Sequence, residues 1–329
     1  MVKLKSKTLT VVIPYYKEKE DDIFPLLSSL NNQVGADFNE FDVILVNDGV
    51  NNKLDKKFLD LFKNLEIKTV LMKENRGPGV ARQVGLDNAT GEYVMFCDAD
   101  DILQNVAVIS LFLQEIHTNH PDIITSQWVE ENKVGDKLIY ITHEDEATWM
   151  HGKAFRRLFL QTKGIKFHNE LKVHEDSYFL AIAFACTDNV RKIQFTTYVW
   201  KFVEDSITRR NNAIYTFDSF VTFLNAISMS MEEIAKVNPE VVVQKIVQLL
   251  MYTYFTVHSA LWAPDDKAEY REQVTKTFFE ILEKFKEYFN ACSDEMLVQL
   301  YNAERAKPQF AGYMEEETIR QWFDKNKLS

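Results

Sequence analysis

The chain has 329 residues, and its 38 Lys and Arg against 49 Asp and Glu give a formal net charge of −11. A composition of 46% hydrophobic and 26% charged residues excludes wholesale disorder, and the length predicts about two domains. The negative charge argues against broad nonspecific attraction to nucleic acid or anionic membrane, and three dispersed cysteines do not indicate a disulfide framework.

Short apolar runs alternate with helical patterns over the first hundred residues. The predicted strands are 9–16, 41–46, 67–72 and 92–97. Helical patterns lie between them, over 23–30, around Phe58 and over 76–86. This alternation predicts a mostly parallel, doubly wound sheet that is covered on both faces. Ligands of such sheets bind at the carboxyl ends of the strands.

The pattern turns mixed from about residue 122 and wholly helical after about residue 212. Strands are predicted over 122–129, 137–142 and 194–202, and helices over 153–161 and 176–185. We therefore expect an α/β domain over 1–211 and an all-helical domain over 212–329. The apolar stretch 241–263 contains Lys245, which is costly in lipid. Neither a membrane span nor a signal peptide is expected, and a cytoplasmic location follows.

Three carboxylates, Asp98, Asp100 and Asp101, come directly after the predicted strand 92–97. Their mutual repulsion is relieved if they share a divalent cation, and carboxylate oxygens suit Mg²⁺ or Mn²⁺. The same residues would also suit an acidic turn that caps a helix beginning at Ile102. The motif by itself leaves both interpretations open.

A series of motifs resembles, in the same order, the signature of family 2 glycosyltransferases. They are VVIPYY (11–16), VNDG (46–49), ENRGPGVARQVG (74–85), GEY (91–93), DAD (98–100), HGKAFRR (151–157), HEDSYF (174–179) and the segment 200–209. The resemblance covers about residues 8–210. It implies a GT-A fold that transfers a sugar, with inversion, from a nucleotide-diphosphate sugar. Residues 1–101 would bind the nucleotide sugar, and 102–211 would bind the acceptor.

The resemblance also implies roles for single residues. Asp176 would be the general base that takes the proton of the acceptor hydroxyl, which a single inverting displacement requires. Asp98 and Asp100 would hold the ribose side and the diphosphate through Mn²⁺ or Mg²⁺, with Asp100 as the preferred metal ligand. The other contacts to the nucleotide sugar would be Pro14, Tyr15, Asp48, Asn75, Arg82, Ala99, Ser206 and Arg209. His143, His151, His168 and His174 are expected to be structural.

The donor and the acceptor are less defined by these motifs. A UDP-linked sugar is expected, although Tyr16, Asn47 and Gln83 depart from the residue types frequent in the family. The expected acceptor is a hydroxyl of a surface polysaccharide or polymer, and the alternative is a modified nucleic-acid base. A second alternative is a noncatalytic module that binds a sugar nucleotide or a glycan. The helical domain would cover the acceptor side or mediate self-association.

Overall fold

The computed structural model describes residues 7–49, 53–144, 147–204, 212–259, 268–307, 310 and 318–327. The chain divides into two compact units, Met1–Val203 and Glu204–Ser329. Two of the predicted contacts to the nucleotide sugar, Ser206 and Arg209, lie outside the described residues.

A mixed sheet forms the centre of the first unit. Its described strands are β1 (Leu9–Tyr15), β2 (Phe41–Asn47), β3 (Ile67–Leu71), β4 (Tyr93–Phe96), β5 (Ile102–Leu103), β6 (Ile123–Val134), β7 (Lys137–His143), β8 (Ala154–Arg156) and β9 (Val190–Trp200). The spatial order is β3-β2-β1-β4-β8-β6-β9-β5, and β7 pairs with β6. Strands β1 to β4 are parallel to one another, whereas β8 is antiparallel to both β4 and β6. The parallel α/β arrangement predicted for the first hundred residues is confirmed.

Helices cover the sheet. In chain order they are α1 (Glu20–Asn31), α2 (Lys56–Leu59), α3 (Pro78–Asn88), α4 (Val108–Asn119), α5 (Arg157–Lys163) and α6 (Glu175–Ala185). The buried apolar residues of α1 and α4 pack with those of β1, β2 and β4 in one cluster. Helix α3 lies very close to the sheet, because a methyl group at Gly85 would stand only 2.2 Å from Val12 Cγ1.

Two predicted helices are wrong, each because strand pairing overrides the local pattern. The helix predicted over 153–161 begins only at Arg157, since residues 154–156 form β8 between β4 and β6. No helix begins at Ile102, because residues 102–103 pair with β9 as β5. The strand predicted over 67–72 is confirmed as β3, which lies at one end of the strand order, so its residues are half-buried or exposed.

The second unit is helical in all its described elements, as the periodicity of apolar residues predicts. They are α7 (Asn212–Val237), α8 (Pro239–His258), α9 (Ala268–Lys284), α10 (Lys286–Asn290), α11 (Asp294–Arg305) and α12 (Ile319–Asn326). Trp322 packs against Tyr254 of α8 and against Phe278 and Phe279 of α9, which ties three helices together. Among the described helices, none combines the length and the apolar character needed to cross a bilayer.

Candidate active site

Polar residues follow β1, β2 and β4 where these neighbouring parallel strands end. Strand β1 ends in Pro14 and Tyr15, both buried, and the amide of Asn47 at the end of β2 donates to the Tyr15 hydroxyl at 3.1 Å. Asp48 follows β2, and Asp98 follows β4 after Cys97. The strands thus bring these residues, which are predicted to bind the nucleotide sugar, to one edge of the sheet.

Asp48 anchors the loop that precedes α3. Its carboxylate accepts hydrogen bonds from the backbone N–H groups of Arg76, at 2.8 Å, and Gly77, at 2.9 Å. Gly77 has a φ of 91°, which favours glycine. Asn75, in the same loop, is exposed. The structure therefore shows a loop-anchoring contact for Asp48, and its contact with the nucleotide sugar stays a prediction.

Arg82 joins two parts of the site. Its side chain is 6% exposed, and Nη1 donates to Glu175 Oε1 at 2.6 Å while Nη2 donates to Asp98 Oδ1 at 2.5 Å. Burial lowers the pKa of Arg82, but Asp98 and Glu175 raise it more, so the guanidinium stays charged. Arg82 lies on α3, and its two carboxylate partners lie after β4 and at the start of α6.

Asp101 connects the acidic turn to β9. It is fully buried, and its carboxylate accepts hydrogen bonds from the Tyr198 hydroxyl at 2.6 Å and from the backbone N–H of Lys201 at 2.9 Å. The Tyr198 oxygen in turn accepts from the backbone N–H of Asp98 at 3.0 Å. Burial and the neighbouring Asp100 and Asp98 raise the pKa of Asp101 well above its usual range.

Asp100 differs from Asp101 in its hydrogen bonding. Among the described residues, no side chain donates a hydrogen bond to the Asp100 carboxylate. Ala99 beside it is buried, and Asp100 itself is half-buried. Burial, and then the charges of Asp98 and Glu18, raise the pKa of Asp100 to about 6. Its ionised form is therefore poorly compensated by the protein, which is the condition that a bound cation would relieve.

Asp98, Asp101 and His151 form a candidate cation site. Each offers a ligand atom, and these atoms lie within 4.8 Å of one another. Burial lowers the pKa of His151 to about 3, so the imidazole is neutral and can act as a ligand. Two carboxylates and a neutral imidazole, with Asp100 adjacent in the chain, fit a divalent cation.

His151 is thus a candidate ligand as well as a packed aromatic residue, and its predicted structural role stays a prediction. Its ring stacks on Tyr198, with ring centroids 4.9 Å apart, and lies in an aromatic cluster with Trp149 and Trp200. The approach of His151 to Asp101 depends on the pairing of β6, β8 and β9. No local spacing in the sequence indicates it. The only sequence signal is that His151 opens the motif HGKAFRR.

Glu175 and Asp176 begin α6. Burial and the adjacent Asp176 raise the pKa of Glu175 to about 7, although Arg82 opposes the shift. Asp176 is half-buried, and its Oδ1 accepts from the backbone N–H of Ser177 at 2.7 Å. Its place in the first turn is favourable for a carboxylate because of the helix dipole. Asp176, the predicted general base, therefore directly follows Glu175, whose carboxylate is bound by Arg82.

Known proteins resemble this chain in sequence and in fold. Residues 10–171 match the sequence model described as glycosyl transferase family 2. The chain belongs to that family. It is 23% identical over 222 residues to the Bacillus subtilis protein named uncharacterized glycosyltransferase EpsJ, which covers 61% of this chain and 62% of that protein.

A second relative is the Staphylococcus aureus poly(ribitol-phosphate) beta-N-acetylglucosaminyltransferase TarS, 27% identical over 207 residues, or 58% of this chain and 35% of the relative. The chain therefore spans less than two thirds of the length of these relatives. The crystal structure of TarS residues 1–349 in complex with UDP-GlcNAc superimposes with a TM-score of 0.65, at 19% identity and 91% coverage of both chains. This match confirms the predicted GT-A fold with a helical C-terminal region.

Proposed function

We propose that this family member is a metal-dependent, inverting glycosyltransferase that moves a sugar from a UDP-linked donor to an acceptor hydroxyl. The observation that carries the proposal is that the single guanidinium of Arg82 pairs with both Asp98 and Glu175. Asp98 is a proposed donor-binding residue, and Glu175 directly precedes the proposed base. Family membership supports sugar transfer. The TarS complex with UDP-GlcNAc supports a uridine nucleotide and makes N-acetylglucosamine the first sugar to test.

The residues divide the chemistry between them. Asp176 takes the proton of the acceptor hydroxyl while the acceptor oxygen forms a bond to the anomeric carbon. On the opposite face of that carbon, the bond to the diphosphate oxygen breaks, and the diphosphate leaves with the electron pair. Asp100 and Asp98 would hold Mn²⁺ or Mg²⁺, with Asp101 and His151 of the candidate cation site as further ligands. A divalent ion bound there would stabilise the negative charge on the departing diphosphate.

The acceptor is proposed to be a hydroxyl of a surface polymer. The name of TarS describes a polymer acceptor, and the net charge of −11 disfavours the nucleic-acid alternative. Asp176, Asp98 and Asp100 are all present, which disfavours the noncatalytic alternative. The cytoplasmic location, self-association through the helical domain and the boundary at 211/212 stay predictions.

Calorimetric titration of UDP tests the donor site. Wild-type protein is titrated with UDP in Mn²⁺ and in EDTA, beside Asp100→Ala and the control Asp136→Asn, which lies in the exposed turn between β6 and β7. We expect UDP binding that requires Mn²⁺, is lost in Asp100→Ala and is unchanged in the control. Binding that is indifferent to both EDTA and Asp100→Ala would contradict the metal assignment.

Turnover tests the base. With UDP-GlcNAc as donor and water as acceptor, wild type should release UDP. Asp176→Asn should bind UDP with the wild-type affinity and release UDP at least about a hundredfold more slowly, since loss of a general base costs 10²–10⁴-fold. Equal rates in both proteins would remove Asp176 from the proposal. A wild type that neither binds UDP nor consumes any nucleotide sugar would refute the function itself.

A further inference from the structure

The sequence motifs assign Arg82 to the nucleotide, but its contacts are made within the protein. Both terminal nitrogens are engaged with carboxylates, and the side chains of Arg82 and Glu175 are only 6% and 8% exposed. A guanidinium used in this way serves best as a fixed fork between two carboxylates, because its planar donors match two partners at once.

Helix α3 is also shaped to receive Glu175. A methyl group at Gly79 would lie 2.7 Å from Glu175 Cγ and 2.9 Å from its Cβ, so only glycine leaves room for that side chain. Gly79 and Arg82 are three residues apart and therefore share one face of α3. We call these two residues the Glu175 socket: glycine supplies the space, and arginine supplies the charge.

The Glu175 socket acts on the residue where α6 begins. His174, just before it, has a φ of 61°, a left-handed conformation that is rare for a non-glycine residue and persists only where the surroundings hold it. Fixing the Glu175 side chain therefore fixes the turn out of which the Asp176 carboxylate emerges. The same guanidinium holds Asp98, so the first turn of α6 is kept in register with the acidic turn after β4.

We propose that Glu175 and Arg82 are positioning residues, which hold the Asp176 carboxylate at a fixed place relative to the donor-side carboxylate Asp98. This inference rests on the proposed function, in which Asp176 is the base. Neither Glu175 nor Arg82 needs to touch a substrate in this role. A small displacement of a base lowers the rate of the chemical step by about a hundredfold while leaving the binding of the donor intact.

The test compares Glu175→Ala, Glu175→Gln and Arg82→Lys with wild type. The matched control is Arg156→Lys, since Arg156 of β8 pairs through two of its nitrogens with Asp122, and its Nε lies 3.0 Å from that carboxylate. Three quantities are measured for each: the affinity for UDP with Mn²⁺, kcat and KM for UDP release from UDP-GlcNAc, and hydrogen exchange of the backbone amides in the first turn of α6.

We expect Glu175→Ala to lower kcat about 30-fold or more, with KM and the UDP affinity within about threefold of wild type. Glu175→Gln should recover most of kcat, because its amide oxygen still accepts from Arg82 Nη1. Arg82→Lys should lower kcat like Glu175→Ala, since an ammonium is a point charge that cannot replace the fork. Exchange in the first turn of α6 should be faster in both low-activity variants and unchanged in Arg156→Lys.

Two results would overturn the inference. One is a Glu175→Ala protein with wild-type kcat and wild-type exchange. The other is a parallel loss of UDP affinity and kcat in Glu175→Ala, which would place Glu175 in donor binding. A failure of the proposed function looks different, because wild type itself would then release no UDP. In that case the exchange data alone decide whether the Glu175 socket holds the first turn of α6.

Discussion

Replacing Asp100 by asparagine should make the metal-free protein more stable, although the carboxylate is proposed to be functional. The pKa of Asp100 is raised from 3.8 to about 6 by burial and by the charges of Asp98 and Glu18. A carboxylate whose pKa is higher in the folded than in the unfolded protein destabilises the fold once it is ionised. Asparagine keeps the shape of the side chain and removes that charge.

The size of the stability gain from Asp100→Asn, and the pH range over which it appears, follow from the pKa of Asp100 in the unfolded and in the folded protein. About two pKa units correspond to about 3 kcal/mol at neutral pH, and solvent around this half-buried carboxylate reduces that to about 1–2 kcal/mol. The penalty is absent well below pH 3.8, grows as pH rises through about 6 and is constant above. At pH 4.5 only about a third of the gain from Asp100→Asn should remain.

Thermal unfolding in EDTA measures this gain. For a unit of this size, about 1–2 kcal/mol raises the Tm by roughly 3–6 °C, and Asp136→Asn in the exposed β6–β7 turn is the control. Addition of 1 mM Mn²⁺ should then stabilise wild type and leave Asp100→Asn unchanged. A less stable Asp100→Asn protein in EDTA, or a gain that is equal at pH 7.5 and 4.5, would refute the electrostatic reasoning.

Three further substitutions probe the fold. Gly85→Ala should destabilise the first unit by about 1–2 kcal/mol in urea unfolding, because crowding of Val12 Cγ1 at 2.2 Å outweighs the better helix propensity of alanine; an unchanged midpoint would show that α3 can move away from the sheet. Tyr198→Phe removes the hydroxyl that donates to Asp101 and should cost about 1–3 kcal/mol, seen as a lower Tm. No change in Tm would mean that water replaces the hydroxyl. Trp322→Ala should cost about 3–5 kcal/mol in the helical unit, followed by loss of helical circular dichroism on heating. A loss of less than about 1 kcal/mol would contradict the buried position of this ring.

The sequence predicts the first half of the fold well for a physical reason. Strands β1, β2 and β4 are buried along their length, so their residues must be apolar and their ends are visible as changes of composition. Strands β5 and β8 have two and three residues, too few to show a period. They are strands because partners that are distant in the chain pair with them, and a local pattern does not contain that information.

The same distinction holds for the candidate site. Asp98, Asp100 and Asp176 are found because they lie in short motifs at strand or helix ends. The carboxylate of Asp101 and the ring of His151 come together through strand pairing across fifty residues of chain, and the second carboxylate partner of Arg82 is 93 residues away. Residue type suggests a role for each of these side chains, but only the fold shows which of them meet.

The charges of the site show why these side-chain contacts matter for donor binding. The buried guanidinium of Arg82 pairs with Asp98 and Glu175, and Asp100 and Asp101 lie beside Asp98 in the acidic turn. Arg82 lowers the pKa of Asp98 against the effect of burial, whereas the pKa values of the other three carboxyl groups are raised. A nucleotide diphosphate would add further negative charge to this region. We therefore expect donor binding to require a cation that enters with it, because Arg82 is already held by two carboxylates. On this reasoning the arginine organises the site, and the charge of the departing diphosphate is left to the metal.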